Sequence, residues 1–168
     1  MEIVISDSST LILLTKSKFI TDILLYFEII IPTIVYKEII KGKEQNYSDA
    51  FDIEYFVAIG KIRIKDPSKE KVLQLNNKFN IVKGELHAVA LCLENKNRII
   101  FMDDKKGIRV CNLIGIKVYT ALTLLNIFYK SKIISKKKAD NYFLDLKTFG
   151  RYTTDELNIT KKILEVNN

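Results

Sequence analysis

Two hydrophobic periods alternate along the chain, and the switches between them mark out the elements. Glu2 to Ser6 is a β-branched run and predicts a short buried strand. Asp7-Ser8-Ser9-Thr10 follows, and each of these four residues can cap a helix. Leu11, Ile12 and Leu14, then Ile20, Ile23, Leu24 and Phe27, keep helical spacing with a break near Ser17. Glu28 to Ile31 predicts a second strand, closed by Pro32. Thr33 opens a helix through Ile40, with Gly42 just past its end. Residues 43–48 are polar and predict a loop, and Asp49 to Ile59 a helix that Gly60 stops. Lys61-Ile62-Arg63-Ile64-Lys65 alternates with period two, as an edge strand does. The turn Asp66-Pro67-Ser68 leads to a helix carrying Val72, Leu75 and Phe79. Lys83-Gly84 precedes a strong helix from Glu85 to Glu94. Arg98 to Met102 is a strand ended by Asp103-Asp104, a helix runs to Ile114, and Ile116 to Tyr119 is the last strand. Segments 120–131, 135–147 and 154–166 are helical. Strands alternating with helices, without repeat or linker, predict one α/β domain over residues 1–168 with a mostly parallel sheet.

Composition narrows the class. The chain has 168 residues, 48% hydrophobic and 28% charged, enough for a sizeable core and too apolar for disorder. No stretch approaches the roughly 18 apolar residues of a membrane span. The N-terminus, Met-Glu-Ile-Val-Ile, has neither a basic region nor a small-residue cleavage site, so a cytoplasmic domain is expected. The two cysteines, Cys92 and Cys111, make neither a disulfide framework nor a four-cysteine zinc site, and each is expected as core packing. The single histidine, His87, excludes sites that need two and is expected at the surface or half-buried.

Charge is unevenly spread. Residues 1–60 carry 5 Lys against 9 acids, net −4; residues 61–168 carry 22 Lys or Arg against 11 acids, net +11. A basic half favours a polyanionic partner, although a chain generally rich in Lys, Asn and Ile gives the same balance. Lys136-Lys137-Lys138 at a helix start suits an anion or plain solvation.

The acids at strand ends carry the candidate chemistry, because ligands of open α/β sheets sit beyond the carboxyl ends of the strands. The first strand ends at Asp7 and the fourth at Asp103 and Asp104. Helix capping accounts for one aspartate at each place and less well for a pair. Glu38 lies one turn into the helix after Pro32, where a solvated face beside Lys37 and Lys41 is the alternative. Glu85 opens the helix after Gly84, where a favourable dipole interaction is the alternative.

Four motifs stand in order: Asp7-x-Ser9-x-Leu11-Ile12-x-Leu14; Val35-Tyr36-x-Glu38-Ile39; Gly84-Glu85-x-x-Ala88-x-Ala90-Leu91; and Phe101-Met102-Asp103-Asp104, with Arg109 five residues on. Together they resemble the PIN-domain ribonucleases, in particular small prokaryotic members that act as toxins in toxin–antitoxin pairs. The resemblance covers residues 1 to about 130, leaving a C-terminal helical extension over about 131–168. It implies a PIN-like three-layer α/β fold, with a twisted, mostly parallel sheet between helices and carboxylates converging around Mg²⁺ or Mn²⁺. It implies a metal-dependent endoribonuclease with catalytic residues Asp7, Glu38, Glu85 and Asp104, and metal ligands drawn from Asp7, Glu85, Asp103 and Asp104. Asp104 matches the fourth acid better than Asp103, because Met102 stands where relatives often carry Thr. Ser9 matches the supporting hydroxyl. Lys83, Lys105, Lys106 and Arg109 lie beside the motifs as candidate RNA contacts, or as ordinary surface lysines and arginine. An antitoxin and a second copy of the chain are candidate partners. The last two helices offer Tyr142, Phe143, Leu146 and Phe149, then Leu157, Ile159, Ile163 and Leu164, to a core, a dimer face or an antitoxin groove.

Two other readings compete. A PIN-like module could bind RNA or a protein without cutting. An aspartate-based phosphotransfer domain fits less well: a phosphatase pattern wants a second Asp where Ser9 stands, and a receiver wants one where Gly60 follows Ile59.

Overall fold

The computed structural model describes residues 1–96 and 98–166. Its centre is a five-stranded sheet: β1 (Glu2–Ser6), β2 (Phe27–Ile31), β3 (Ile62–Ile64), β4 (Ile99–Phe101) and β5 (Lys117–Tyr119). The strand order is β3-β2-β1-β4-β5 and every pairing is parallel. The expected mostly parallel sheet is therefore wholly parallel. The helices are α1 (Ser8–Lys16), α2 (Ile20–Ile23), α3 (Thr33–Ile40), α4 (Ser48–Ala58), α5 (Lys69–Asn76), α6 (Lys83–Glu94), α7 (Lys105–Leu113), α8 (Ala121–Lys130), α9 (Lys136–Phe149) and α10 (Thr154–Val166).

Alternation along the strands builds three layers, since successive side chains point to opposite faces. Val4, Ile29, Ile31, Ile99 and Phe101 face one cluster, which α1, α2, α4, α8, α9 and α10 complete. Ile5, Ile30, Ile100 and Met102 face the other, closed by α5, α6 and α7. Both clusters are dry, which explains strands that are apolar on consecutive positions rather than alternately polar. The last two helices contribute Ala139, Tyr142, Leu146 and Leu164 to the first cluster. Phe149 and Ile159 of the same helices stay exposed. Asn126 of α8 also donates to the Thr160 hydroxyl of α10 at 3.2 Å.

Three local details differ from the sequence reading. Phe27 belongs to β2 rather than to the preceding helix, pairing opposite Glu2. Residues Lys41–Gln45 form a 3-10 turn rather than open loop, ended by Asn46 in the left-handed region at φ 56°. The sixth helix starts two residues early, so Gly84 lies inside its first turn. Cys92 and Cys111 are buried in the second cluster, where burial pushes each thiol up to about 12. No described helix is long and apolar enough to cross a membrane.

The order of strands fixes the site. β1 lies between β2 and β4, so chain connections leave it in opposite directions, and a crevice opens beyond the carboxyl ends at that point. Ser6 pairs with Phe101, and the Asp7 amide still donates to the Phe101 carbonyl at 3.2 Å. Residues leaving β1 and β4 therefore start side by side.

Candidate active site

Asp7 is the first side chain past β1 and is 2% exposed. It is the N-cap of α1: Oδ1 accepts from the Thr10 amide at 2.9 Å, and Oδ2 from the Ser9 hydroxyl at 2.7 Å. Burial nevertheless dominates these bonds and pushes its carboxyl up to about 6. Capping thus holds Asp7 in place without making its negative charge comfortable.

Glu38 arrives from β2 through Pro32 and α3. The helix is anchored by Asp66, which accepts from the Thr33 amide at 2.8 Å and its hydroxyl at 2.7 Å. Ser8, at the start of α1, donates to Glu38 Oε2 at 3.1 Å. Across the crevice, Gly84 in α6 leaves room for this carboxylate: a Cβ there would stand 2.5 Å from Oε2.

Glu85 follows on α6, half-buried. Burial pushes its carboxyl up to about 7, and the charges of Asp104, Asp7 and Glu38 add to the rise. Its Oε2 is buried with no hydrogen-bond partner among the described residues. Glu85 thus feels the charges of the other three acids, which come from different segments of the chain.

The two adjacent aspartates divide the work. Asp104 caps α7, its Oδ1 accepting from the amides of Lys106 at 2.8 Å and Gly107 at 2.9 Å. Asp103 turns the other way. It accepts from the Ala121 amide at 3.1 Å and the Tyr152 hydroxyl at 2.7 Å, and burial raises its carboxyl. The Thr10 hydroxyl lies close to both Asp7 and Asp103 without completing a hydrogen bond.

A cavity of about 740 Å³ opens over these groups, its wall including Ser9, Glu85, Asp103, Asp104, Lys105 and Lys106. Lys83 and Arg109 are exposed and do not line it. His87 is half-buried on α6. Of the lysine run, Lys138 pairs with Asp22 at 3.0 Å and Lys136 pairs with Asp140, so those two charges are answered within the chain.

A PIN-domain family model matches residues 3–166. The chain belongs to the PIN-domain family. No curated protein gives a significant match. The PIN domain here has a nuclease-type fold. Of the four expected acids, Glu85 and Asp104 line the cavity, whereas Asp7 and Glu38 are not on its wall. The PIN acids also suit a divalent cation. The donors are all carboxylate oxygens, the set that Mg²⁺ and Mn²⁺ prefer. One buried oxygen, Glu85 Oε2, has no partner. Two carboxyls are pushed up by burial and mutual repulsion that a cation would relieve. Among the described residues, no group of three or more His, Cys, Asp or Glu is placed so that it could hold a metal ion.

Sequence reasoning did not find Arg151 and Tyr152, which also line the cavity, nor Ser8 on Glu38, and it read Phe149, another lining residue, only as part of an apolar helix face. Ser8 had a local signal, since it sits in the capping run after β1. Tyr152 had none, because its contact with Asp103 spans 49 residues.

Proposed function

We propose that this PIN domain is a metal-dependent endoribonuclease that hydrolyses RNA phosphodiester bonds. The observation that carries the proposal is Glu85: a half-buried carboxylate with an unpartnered oxygen, raised first by burial and then by the charges of Asp104, Asp7 and Glu38. Such a cluster is costly in an empty protein and becomes favourable around a divalent cation.

Asp7 and Asp104 would hold the ion, each fixed by its helix cap. Asp103 stands beside them as a further oxygen donor. A bound Mg²⁺ or Mn²⁺ supplies positive charge to the phosphoryl oxygens and a water of lowered pKa. Ser9 orients Asp7 through its 2.7 Å bond. Glu38, held by Ser8, orients water at the mouth of the crevice. Glu85, whose carboxyl is pushed up to about 7, would position the attacking water and take its proton. Lys105 and Lys106 on the cavity wall draw the phosphate backbone toward an otherwise negative site. The resemblance to small prokaryotic toxins extends the proposal to a cytoplasmic toxin with a small antitoxin protein as partner. A short neighbouring reading frame with a DNA-binding segment would support that extension.

The test is cleavage of single-stranded and structured RNA with Mn²⁺ and with EDTA, by the wild type and Asp7→Asn. Cleavage should need the metal and vanish in the variant. Cleavage that survives both EDTA and the substitution refutes the mechanism.

A further inference from the structure

The corner between α9 and α10 lies far from the acidic motifs in sequence and beside them in space. Tyr152 donates its hydroxyl to Asp103 at 2.7 Å. Gly150 makes this approach feasible: a Cβ there would stand 2.2 Å from the Tyr152 ring and 2.7 Å from the Leu146 carbonyl. The corner is held at both ends, by buried Leu146 on α9 and by buried Thr160 and Leu164 on α10. Arg151, between the glycine and the tyrosine, is thereby fixed on the cavity wall with Lys105 and Lys106. Glu156 accepts from the Thr153 amide at 2.6 Å and hydroxyl at 2.8 Å, closing a capping box at the start of α10. Arg151 itself is exposed and forms no salt bridge with a described residue.

We infer that the Gly150–Arg151–Tyr152 corner is part of the active site, Arg151 binding a phosphate of the RNA and Tyr152 positioning Asp103. The inference rests on the endoribonuclease reading and adds to it a substrate-binding residue outside the acidic motifs. A guanidinium suits the place because its planar fork meets two phosphate oxygens at once, which an ammonium does not. RNA approaching four carboxylates needs such a cation on its path.

The test uses the full chain with Mn²⁺ and a labelled single-stranded RNA, comparing wild type, Arg151→Ala, Arg151→Lys and Tyr152→Phe. Arg151→Ala should raise KM about tenfold with kcat within about twofold, the loss of one charge-assisted contact. It should also reduce the slope of log affinity against log salt by about 0.7, the share of one phosphate on a single strand. Arg151→Lys should restore the slope but not the whole of KM. Tyr152→Phe should lower kcat several-fold with KM unchanged, and thermal melts should show all three variants folded. A wild type that cleaves, with Arg151→Ala matching it in KM and salt slope, overturns the phosphate role alone. Unchanged kcat in a folded Tyr152→Phe overturns the positioning role alone. A wild type that cleaves no RNA overturns the underlying reading and this inference together.

Discussion

The carboxylate of Glu38 occupies the space that a side chain on residue 84 would need: a Cβ built on Gly84 would lie 2.5 Å from Oε2 and 2.7 Å from Oε1. The atoms in conflict are the far end of a flexible side chain, so Glu38 would yield rather than the backbone. Gly84 sits in the first turn of α6, where alanine is the better helix former by up to about 1 kcal/mol. Gly84→Ala should therefore leave Tm unchanged or raise it, while pushing Glu38 off Ser8 and lowering kcat about tenfold or more. Paired melting and RNA-cleavage measurements check this. A variant of normal activity would show that the Glu38 position is not required.

The pH dependence of the metal-free protein follows from Asp7 and Glu85. Both carboxyls are raised, to about 6 and about 7, so the folded state holds protons more tightly than the unfolded chain. Their stabilising contribution is fully present below the unfolded values, near 4, and is lost as pH rises through 6 and 7. For buried Asp7 alone the swing is on the order of 3 kcal/mol, from about two units at 1.36 kcal/mol each. In EDTA, denaturant unfolding should show the wild type losing stability between pH 4.5 and 7.5, in a range set by these carboxyls. Asp7→Asn, whose side chain can still cap α1, should flatten that loss. Equal slopes in the two proteins would contradict the burial of a charged Asp7.

Asp103 and Asp104 are neighbours with different partners, and substitution should separate them. Asp104→Asn keeps a capping oxygen for α7, so Tm should move by less than about 1 kcal/mol in stability. Cleavage should nevertheless fall by two orders of magnitude or more, because a metal ligand is lost. Asp103→Ala removes the acceptor of both the Ala121 amide and the Tyr152 hydroxyl. Leaving those donors unsatisfied should cost about 2–3 kcal/mol, visible as a lower midpoint in urea. The reverse pattern would make Asp103 the principal fourth acid.

Much of this was legible in the sequence, for reasons that can be named. β1, β2 and β4 are short β-branched runs that end in a cap or a proline, and each was found within a residue or two. Asp7, Asp103 and Asp104 were legible as strand-end residues because a buried parallel strand delivers its next residue to the crevice; Glu38 and Glu85 lie on helices and carried no such signal. The limits are equally physical. Phe27 fits a helical stripe and a strand alike, and pairing with β1 decided for the strand. Gly84 resembles a stop signal before a helix, yet its role is space for a side chain 46 positions earlier, which no local pattern encodes. Lys83 and Arg109 lie beside the motifs in sequence and off the cavity in space, whereas Arg151 does the opposite. Local periodicity reports which face is buried; it does not report which distant loop closes over a site.

Divalent metal should act on the folded protein as a ligand, and the pH at which it does so is fixed by the same carboxyls. Mn²⁺ binding only the native state at a hundred times its dissociation constant would add about 2.7 kcal/mol, or several degrees in Tm for a chain of this size. The ion needs ionised carboxylates, and protons compete for Asp7 below about 6 and for Glu85 below about 7. The Mn²⁺-induced rise in Tm should therefore be small at pH 5.5 and grow toward pH 7.5, opposite to the trend of the metal-free protein. Asp7→Asn makes the contrast sharper. In EDTA at pH 7.5 it should melt above the wild type, because a buried charge has gone. In Mn²⁺ it should melt no higher than it does in EDTA, because a ligand has gone too. Differential scanning calorimetry of both proteins, with and without Mn²⁺ at the two pH values, measures all of these shifts. A variant that melts lower than wild type in EDTA and still gains the full Mn²⁺ shift would place the ion away from Asp7.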